Sequence, residues 1–240
     1  KKYSLLILAV KKGNCELVQL LLNIENIDVN LEHEFSIKKA NNFKIEAKTP
    51  ALFYAISSKN IKIIDLLLSN RLIDPNKKKI TSKCNLEVTD DSNINRVKNK
   101  YNEIEEKTPL QLAIENRNNA IIDKLLLNKN IDVNEEITIQ KDYLNHLSLI
   151  IKKTALHVAA QFGNSAIFQK LIDNKIDTNK NYAMNVILSN QQKSFPFELK
   201  TALFIAIENN NHQIVDILLN NNQIDLNQLI ITSDTSYIYD

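Results

Sequence analysis

A repeated pattern of apolar residues constrains the fold of this chain more than any other feature of its sequence. The pattern is a capping residue, two or three apolar residues, an Ala five positions on, and a Leu or Ile thirteen positions after that Ala. It occurs five times, starting at Ser4, Pro50, Thr108, Thr154 and Thr201. Because units of this size bury their apolar faces only against neighbouring units, the pattern predicts a stack.

Each copy of the pattern predicts two short antiparallel helices. In the first copy Leu6, Ala9 and Val10 fall at i, i+3 and i+4, which places them on one face of a helix. The segment 17–22 carries a second apolar stripe with the spacing i, i+1, i+4 and i+5. Neither helix is long enough to be stable alone, so neighbouring copies must support it.

The fourth copy contains a recognisable signature. It reads Thr-Ala-Leu-His-Val-Ala-Ala from Thr154 and continues through Gly163-Asn164, and every copy closes with Asp-x-Asn. These residues resemble the ankyrin repeat, whose signature contains Thr-Pro-Leu-His-x-Ala and whose period is about 33 residues. The resemblance implies a mainly α repeat solenoid, in which ankyrin-type helix-turn-helix pairs stack side by side with extended β-hairpin fingers.

The chain departs from the family in its period. Successive copies start 46, 58, 46 and 47 residues apart, and all the extra residues lie between Asp-x-Asn and the next copy, where the family has its β-hairpin finger. We therefore expect one domain over 1–240. Its helical units are predicted at about 3–30, 49–76, 107–134, 153–179 and 200–227, its hairpin insertions at about 31–48, 77–106, 135–152 and 180–199, and a partial terminal finger at 228–240.

The insertions have the alternation of β-strands. In the first, Phe35 and Ile37 alternate with polar residues before Asn41-Asn42, and the alternation resumes afterwards. This pattern around an Asn-containing turn favours a hairpin, and adjacent hairpins are expected to pair edge to edge. The Asn and Lys content also permits disordered loops, an alternative that stays open for the charged second insertion above all.

Glycine is scarce at the turns where the family uses it. The chain has only two, Gly13 and Gly163, and the equivalent turns elsewhere hold Lys59, Arg117 and Asn210. After the second helix of each copy the family Gly is replaced by Asn. Since Asn tolerates the left-handed conformation better than other non-Gly residues, these asparagines are predicted to adopt it.

The composition narrows the functional classes. Only two glycines are present, which argues against Gly-rich phosphate loops, and we find no nucleophile elbow or Cys/His cluster, so we expect no enzyme activity, cofactor or metal. The net charge of +2 and the mixed-charge second insertion give no reason to expect nucleic-acid binding. His157 matches the structural histidine of the family. No apolar run reaches the eighteen or so residues that span a bilayer, so we expect no membrane insertion.

The resemblance implies a scaffold that binds unidentified protein partners through its fingers and concave helix face. By position, the contact residues on the first helices are Lys11, Lys12, Ser57, Ser58, Glu115, Asn116, Gln161, Phe162, Glu208 and Asn209, and those at the finger tips are Asn41, Asp142 and Gln191. Phe162 is a candidate aromatic anchor, although it could equally fold against a neighbouring finger.

Two other functional interpretations stay open. The segment could be the regulatory or targeting part of a larger enzyme or membrane-associated protein, since ankyrin stacks are often appended to such domains. Its ends resemble interrupted repeats, so we expect a fragment of a longer repeat protein. Alternatively, Asp-x-Asn asparagines such as Asn134 could be hydroxylated, as in some family members. Two cysteines cannot form a disulfide framework, so we expect reduced thiols and a location in the cytoplasm, with the nucleus as the alternative. We also expect a monomer.

Overall fold

The computed structural model describes residues 4–38, 43–88, 97–143, 147–188 and 193–232. Within these residues the helices are α1 (Leu5–Lys12), α2 (Cys15–Leu22), α3 (Ala51–Ser57), α4 (Ile61–Ser69), α5 (Pro109–Glu115), α6 (Asn119–Leu126), α7 (Ala155–Phe162), α8 (Ser165–Asp173), α9 (Ala202–Glu208) and α10 (His212–Leu219). The strands are β1 (Glu32–Lys38), β2 (Phe43–Pro50), β3 (Lys79–Val88), β4 (Val97–Lys107), β5 (Ile137–Asp142), β6 (Leu147–Lys153), β7 (Tyr182–Leu188) and β8 (Lys193–Lys200).

Side-chain caps fix where the helices begin. Before each of four second helices an Asn oxygen accepts the backbone N–H three residues on, at distances of 2.9–3.2 Å. These caps are Asn14, Asn60, Asn118 and Asn164. Among the first helices, Thr108 and Gln111 form a reciprocal capping box at the start of α5. Capping satisfies amide groups that have no partner inside the helix, so the caps define each unit.

The turns between paired helices adopt the left-handed conformation. Their φ values are 70° at Gly13, 55° at Lys59, 51° at Arg117, 66° at Gly163 and 54° at Asn210. Three of these five positions carry a side chain in a region that strongly favours Gly, so the turn is imposed by the packing of the two helices it joins.

The four insertions form one sheet. All eight strands are hydrogen-bonded in sequence order, and every neighbouring pair is antiparallel. Strands of different insertions pair as well as strands of the same insertion, so β2 joins β3, β4 joins β5 and β6 joins β7. The second insertion contributes β3 and β4 despite its charge. At the far edge, Leu199 and Ile231 exchange backbone hydrogen bonds of 2.9 and 3.0 Å.

The sheet corrects the predicted fold class. A mainly α solenoid is wrong, because 27% of the chain is β-strand in a single eight-stranded antiparallel sheet that accompanies ten short helices in the described residues. The prediction treated the fingers as appendages of a helical stack. In the structure the strands reach farther than the helices: the shortest strand, β5, has 6 residues and extends about 20 Å, whereas the longest helices have 9 residues and extend about 14 Å.

The hydrophobic core is a slab between the two layers of helices. Buried Leu, Ile, Val and Ala side chains from every repeat form one continuous cluster. The signature alanines Ala55, Ala113, Ala159 and Ala206 are completely buried. Their small side chains let first helices of neighbouring repeats pack closely, so the core runs along the whole stack.

A chain of Asn side chains also links successive repeats. The Asn30 Oδ1 accepts the backbone N–H of Asp74 at 2.8 Å, and its amide nitrogen donates to the Leu72 carbonyl at 2.7 Å. In the later repeats the same bond, also of 2.8 Å, runs from a backbone N–H to an Asn Oδ1: Asp132 donates to Asn76, Asp177 to Asn134 and Asp225 to Asn179. The Asp-x-Asn signature therefore holds each repeat to the next.

The asparagines after the second helices do not adopt the predicted left-handed conformation. Their φ angles are −86° at Asn23, −74° at Asn70, −90° at Asn174 and −82° at Asn220. Instead, the side chain of Asn70 donates to the Leu22 carbonyl at 3.4 Å, and that of Asn128 donates to the Leu68 carbonyl at 3.2 Å. Asn is used at these two sites because its amide reaches the preceding repeat.

The strained turns predict a stabilising substitution. Arg117→Gly should raise the free energy of unfolding by about 0.5–1 kcal/mol, because a side chain at φ 51° is strained and Gly is not. Urea unfolding measures the change. The matched control is Asn116→Gly, at a φ of −75°, which should be destabilising. A destabilising Arg117→Gly would show that the turn is not strained.

Candidate functional site

The sheet has one face turned towards the first helices of the repeats, which we call the inner face. Lys107 of β4 bonds Glu115 of α5 at 2.7 Å, and Lys200 of β8 bonds Glu208 of α9 at 3.1 Å. Directly opposite partners share a face, so the register places one residue of every strand in a row. This inner row is Phe35, Ala47, Thr81, Glu105, Ile139, Ile151, Met184 and Glu198.

Next to this row, at the base of the fingers, lies a second row that we call the root row. It consists of the four opposite pairs His33 with Thr49, Lys79 with Lys107, Ile137 with Lys153, and Tyr182 with Lys200. Half of its eight residues are lysines. Three of these lysines can be recognised in the sequence, since each directly precedes the Thr that caps α5, α7 or α9.

Two lysines of the root row are neutralised within their own repeats. Lys107 lies 2.7 Å from Glu115 and 3.4 Å from Glu105, and Lys200 lies 3.1 Å from Glu208 and 3.5 Å from Glu198. Burial alone would favour the neutral amine of Lys107. The hydrogen bond to Glu115 and the charges of the two carboxylates outweigh burial, and the pKa of Lys107 is raised.

The other two lysines of this row lack such partners. Lys79 and Lys153 are half-buried, and among the described residues neither side chain forms a hydrogen bond or ion pair. Burial lowers the pKa of both amines, and the neighbouring Lys107 adds to this effect. The inner face thus holds two partly desolvated ammonium groups without a direct ion pair, which sequence reasoning missed.

The residues predicted to contact partners lie mainly at the ends of the first helices. Most are exposed, while Glu115 is half-buried in its ion pair with Lys107. The exposed residues are Lys11, Lys12, Ser57, Ser58, Asn116, Gln161, Phe162, Glu208 and Asn209. Lys11 lies above the Tyr54 ring, 4.7 Å from its centroid. Phe162 is 42% exposed, so part of its ring is accessible to a partner.

The structure brings some of these residues together and separates others. Gln161, Glu208 and Asn209 line a pocket of about 300 Å³ beside Tyr182 and Lys200. Lys11 and Lys12 lie four repeats away along the stack. The predicted surface is therefore a long strip, of which the pocket occupies one end.

Of the three predicted finger-tip contacts, Asp142 lies within the described residues. Asp142 ends β5, where its carboxylate accepts hydrogen bonds from Gln140, Ser148 and Asn102 at 2.8–3.3 Å. These bonds hold the carboxylate within the sheet. Asn41 and Gln191 lie outside the described residues.

His157 forms the capping box of α7. Its Nδ1 accepts the backbone N–H of Thr154 at 3.1 Å, so its Nε2 carries the proton that is donated to the Lys180 carbonyl at 2.8 Å. Burial lowers the pKa of this imidazole to about 4. The neutral ring joins the start of α7 to the loop before β7.

The comparison with known families agrees with this geometry. The sequence model described as ankyrin repeats matches three copies, at residues 1–79, 83–182 and 154–230. The chain belongs to the ankyrin repeat family. A search of curated proteins finds no significant match.

Ankyrin repeats are generally protein-interaction modules. Within the described part of this chain, no three His, Cys, Asp or Glu side chains lie together in a way that could hold a metal ion. No helix there is long and apolar enough to cross a membrane.

The lowered pKa of His157 predicts a pH dependence of stability. Between about pH 6.5 and pH 4 the unfolded imidazole binds a proton and the folded one does not. The free energy of unfolding should therefore fall as the pH falls through this window, by at most about 3 kcal/mol from this group.

Urea unfolding of His157→Gln at pH 7 and pH 4.5 isolates the contribution. Gln occupies the same position as Gln111 of the preceding repeat, whose Oε1 accepts the Thr108 N–H at 3.0 Å, so it can cap α7. The variant should lose less stability between the two pH values than the unchanged protein. His212→Gln, at an exposed position, should not alter the pH dependence. Equal losses in His157→Gln and the unchanged protein would contradict the assignment.

Proposed function

We propose that this ankyrin repeat protein is a scaffold without catalysis of its own, which binds protein partners on the inner face of its finger sheet and on the adjoining ends of the first helices. One observation carries the proposal. The ion pairs from Lys107 to Glu115 and from Lys200 to Glu208 join sheet and helices into a single surface that runs along the repeats.

The size and shape of this surface support the proposal. Eight strands side by side, at about 4.8 Å each, give a width of about 35 Å, which is sufficient for a protein interface of ordinary size. The surface is also chemically varied along its length. Lys11 and Lys12 occupy one end of the strip, and the partly exposed ring of Phe162 lies towards the other. Such variation is what distinguishes one partner from another.

We further propose that residues 1–240 act as one domain, as a monomer, in the cytoplasm. The sheet supports a single domain because it connects all four insertions through backbone hydrogen bonds. Cys15 and Cys84 are both free thiols, which is the usual state of cysteine in a reducing compartment.

Partner capture with matched surface variants tests the proposed interaction surface. The inner-surface variant combines Gln161→Ala with Phe162→Ala, and the control is Lys152→Ser, an exposed residue on the opposite face of the sheet. Proteins that the unchanged chain retains from its native extract should be lost from the inner-surface variant and kept by the control. Equal melting temperatures establish that both variants are folded. Retention of all partners by the inner-surface variant would contradict the proposal.

A further inference from the structure

We infer that the root row of the inner face binds an acidic peptide segment of the partner, whose carboxylates pair with Lys79 and Lys153. The inference rests on the proposed function, because it specifies the chemistry of a partner on that same surface. It starts from the contrast between these two lysines and the paired lysines of the same row.

A comparison between repeats shows what is missing around Lys153. The position two residues before the equivalent lysine holds Glu105 in the third repeat and Glu198 in the fifth, and the position eight residues after it holds Glu115 and Glu208. In the fourth repeat these two positions are Ile151 and Gln161. The fourth repeat keeps the lysine but has neither carboxylate that neutralises it elsewhere.

Lys79 is exceptional in a different way. It is the first residue of β3, and the corresponding residues of the other three fingers are His33, Ile137 and Tyr182, all of which are buried. Lys79 lies directly opposite Lys107. The position that is buried in the other three fingers thus holds the ammonium group of Lys79 in the second finger, opposite that of Lys107.

The surrounding carboxylates are bonded to lysines other than Lys79 and Lys153. The carboxylates that act on both are Glu105 and Glu115, and each of these is bonded to Lys107. Farther out on the same face, Glu103 pairs with both Lys83 and Lys141, at 3.2 and 3.9 Å. Glu198 and Glu208 are likewise bonded to Lys200. A partner that supplies two carboxylates would give Lys79 and Lys153 ion pairs of their own.

The spacing of the strands specifies the arrangement of the carboxylates. Lys79 is on β3 and Lys153 is on β6, so three strand intervals of about 4.8 Å separate their backbones by about 14 Å. Four residues of an extended peptide cover about 14 Å as well. An extended segment that crosses the strands along the root row would therefore match both lysines with two acidic residues four positions apart.

The same geometry disfavours a nucleic acid. Glu105 and Glu115 lie between the two free lysines, and both would face a continuous phosphate backbone. A nucleic acid carries a phosphate at every nucleotide and so could not avoid these carboxylates. A peptide can place neutral residues opposite the two glutamates and acidic ones opposite the two lysines.

Selection of peptides on the intact protein tests the inference. A displayed library of random twelve-residue peptides is selected against the full 240-residue chain. The expected binders carry two Asp or Glu residues four positions apart. Their affinity should fall about tenfold in Lys153→Met and in Lys79→Met, since each substitution removes one charged hydrogen bond and keeps the apolar stem. Lys152→Met, on the opposite face, should leave the affinity unchanged.

A second measurement assigns each carboxylate to its lysine. Replacing the acidic residue of a selected peptide by its amide should weaken binding to the unchanged protein. The same replacement should have little further effect in the variant that lacks the lysine contacted by that acidic residue. An acidic residue that pairs with Lys79 should thus be silent in Lys79→Met, and one that pairs with Lys153 should be silent in Lys153→Met. Thermal unfolding provides the folding control, and Lys153→Met should not lower the melting temperature, because it removes a partly buried charge without a partner.

The outcomes separate the inference from the proposed function. Selected peptides that lack acidic pairs would overturn the acidic partner, and so would peptides whose binding the lysine substitutions leave unchanged. If such peptides no longer bind the Gln161→Ala, Phe162→Ala variant, the inner-face scaffold would still be supported. Tighter binding of a twenty-nucleotide single-stranded DNA than of any selected peptide would also overturn the acidic peptide. Failure to select any binder would count against both.

Discussion

The structure depends on a match between two spacings. Each of the five repeats adds one pair of helices to the stack, and each of the four insertions between them adds two strands to the sheet. Two strands occupy about 10 Å, and packed helices are separated by about 8–10 Å. Because the width of two strands agrees with the separation of packed helices, neighbouring fingers meet at hydrogen-bonding distance without bending away from the helices. The buried alanines, such as Ala113 and Ala159, maintain the close spacing on the helical side.

This match turns separate loops into one functional surface. Fingers that did not pair would each present a narrow hairpin, whereas paired fingers present rows of side chains across eight strands. The register sets the neighbours of each residue in such a row. Lys79 and Lys107 are therefore opposite each other although they belong to the two arms of a long insertion, and Lys153 comes to lie near Lys107. The chemistry of the inner face is a consequence of strand pairing.

Much of this fold could be predicted from the sequence, because its determinants are local. The apolar spacing around Ala113 and the Asp-x-Asn motif each repeat five times, and the left-handed turns at Lys59 and Arg117 follow from the equivalent Gly13. The alternation in the insertions predicted hairpins that pair edge to edge, but the predicted fold class counted these fingers as appendages of a helical stack and so underestimated the proportion of sheet. The unpaired state of Lys79 and Lys153 was missed because it depends on which residues the register places opposite them. The predicted contact residues, among them Phe162, still await a binding experiment.

Hydrogen exchange of the backbone amides tests the pairing of neighbouring fingers most directly. Fragments that cover β2 and β3 report on a contact between two different insertions, where Ala47 lies opposite Thr81. If the fingers form one sheet, amides on both sides of this boundary should exchange as slowly as those between β1 and β2 within one finger. Rapid exchange at the boundary, with protection retained within each finger, would show that the hairpins are separate and would contradict the continuous inner face.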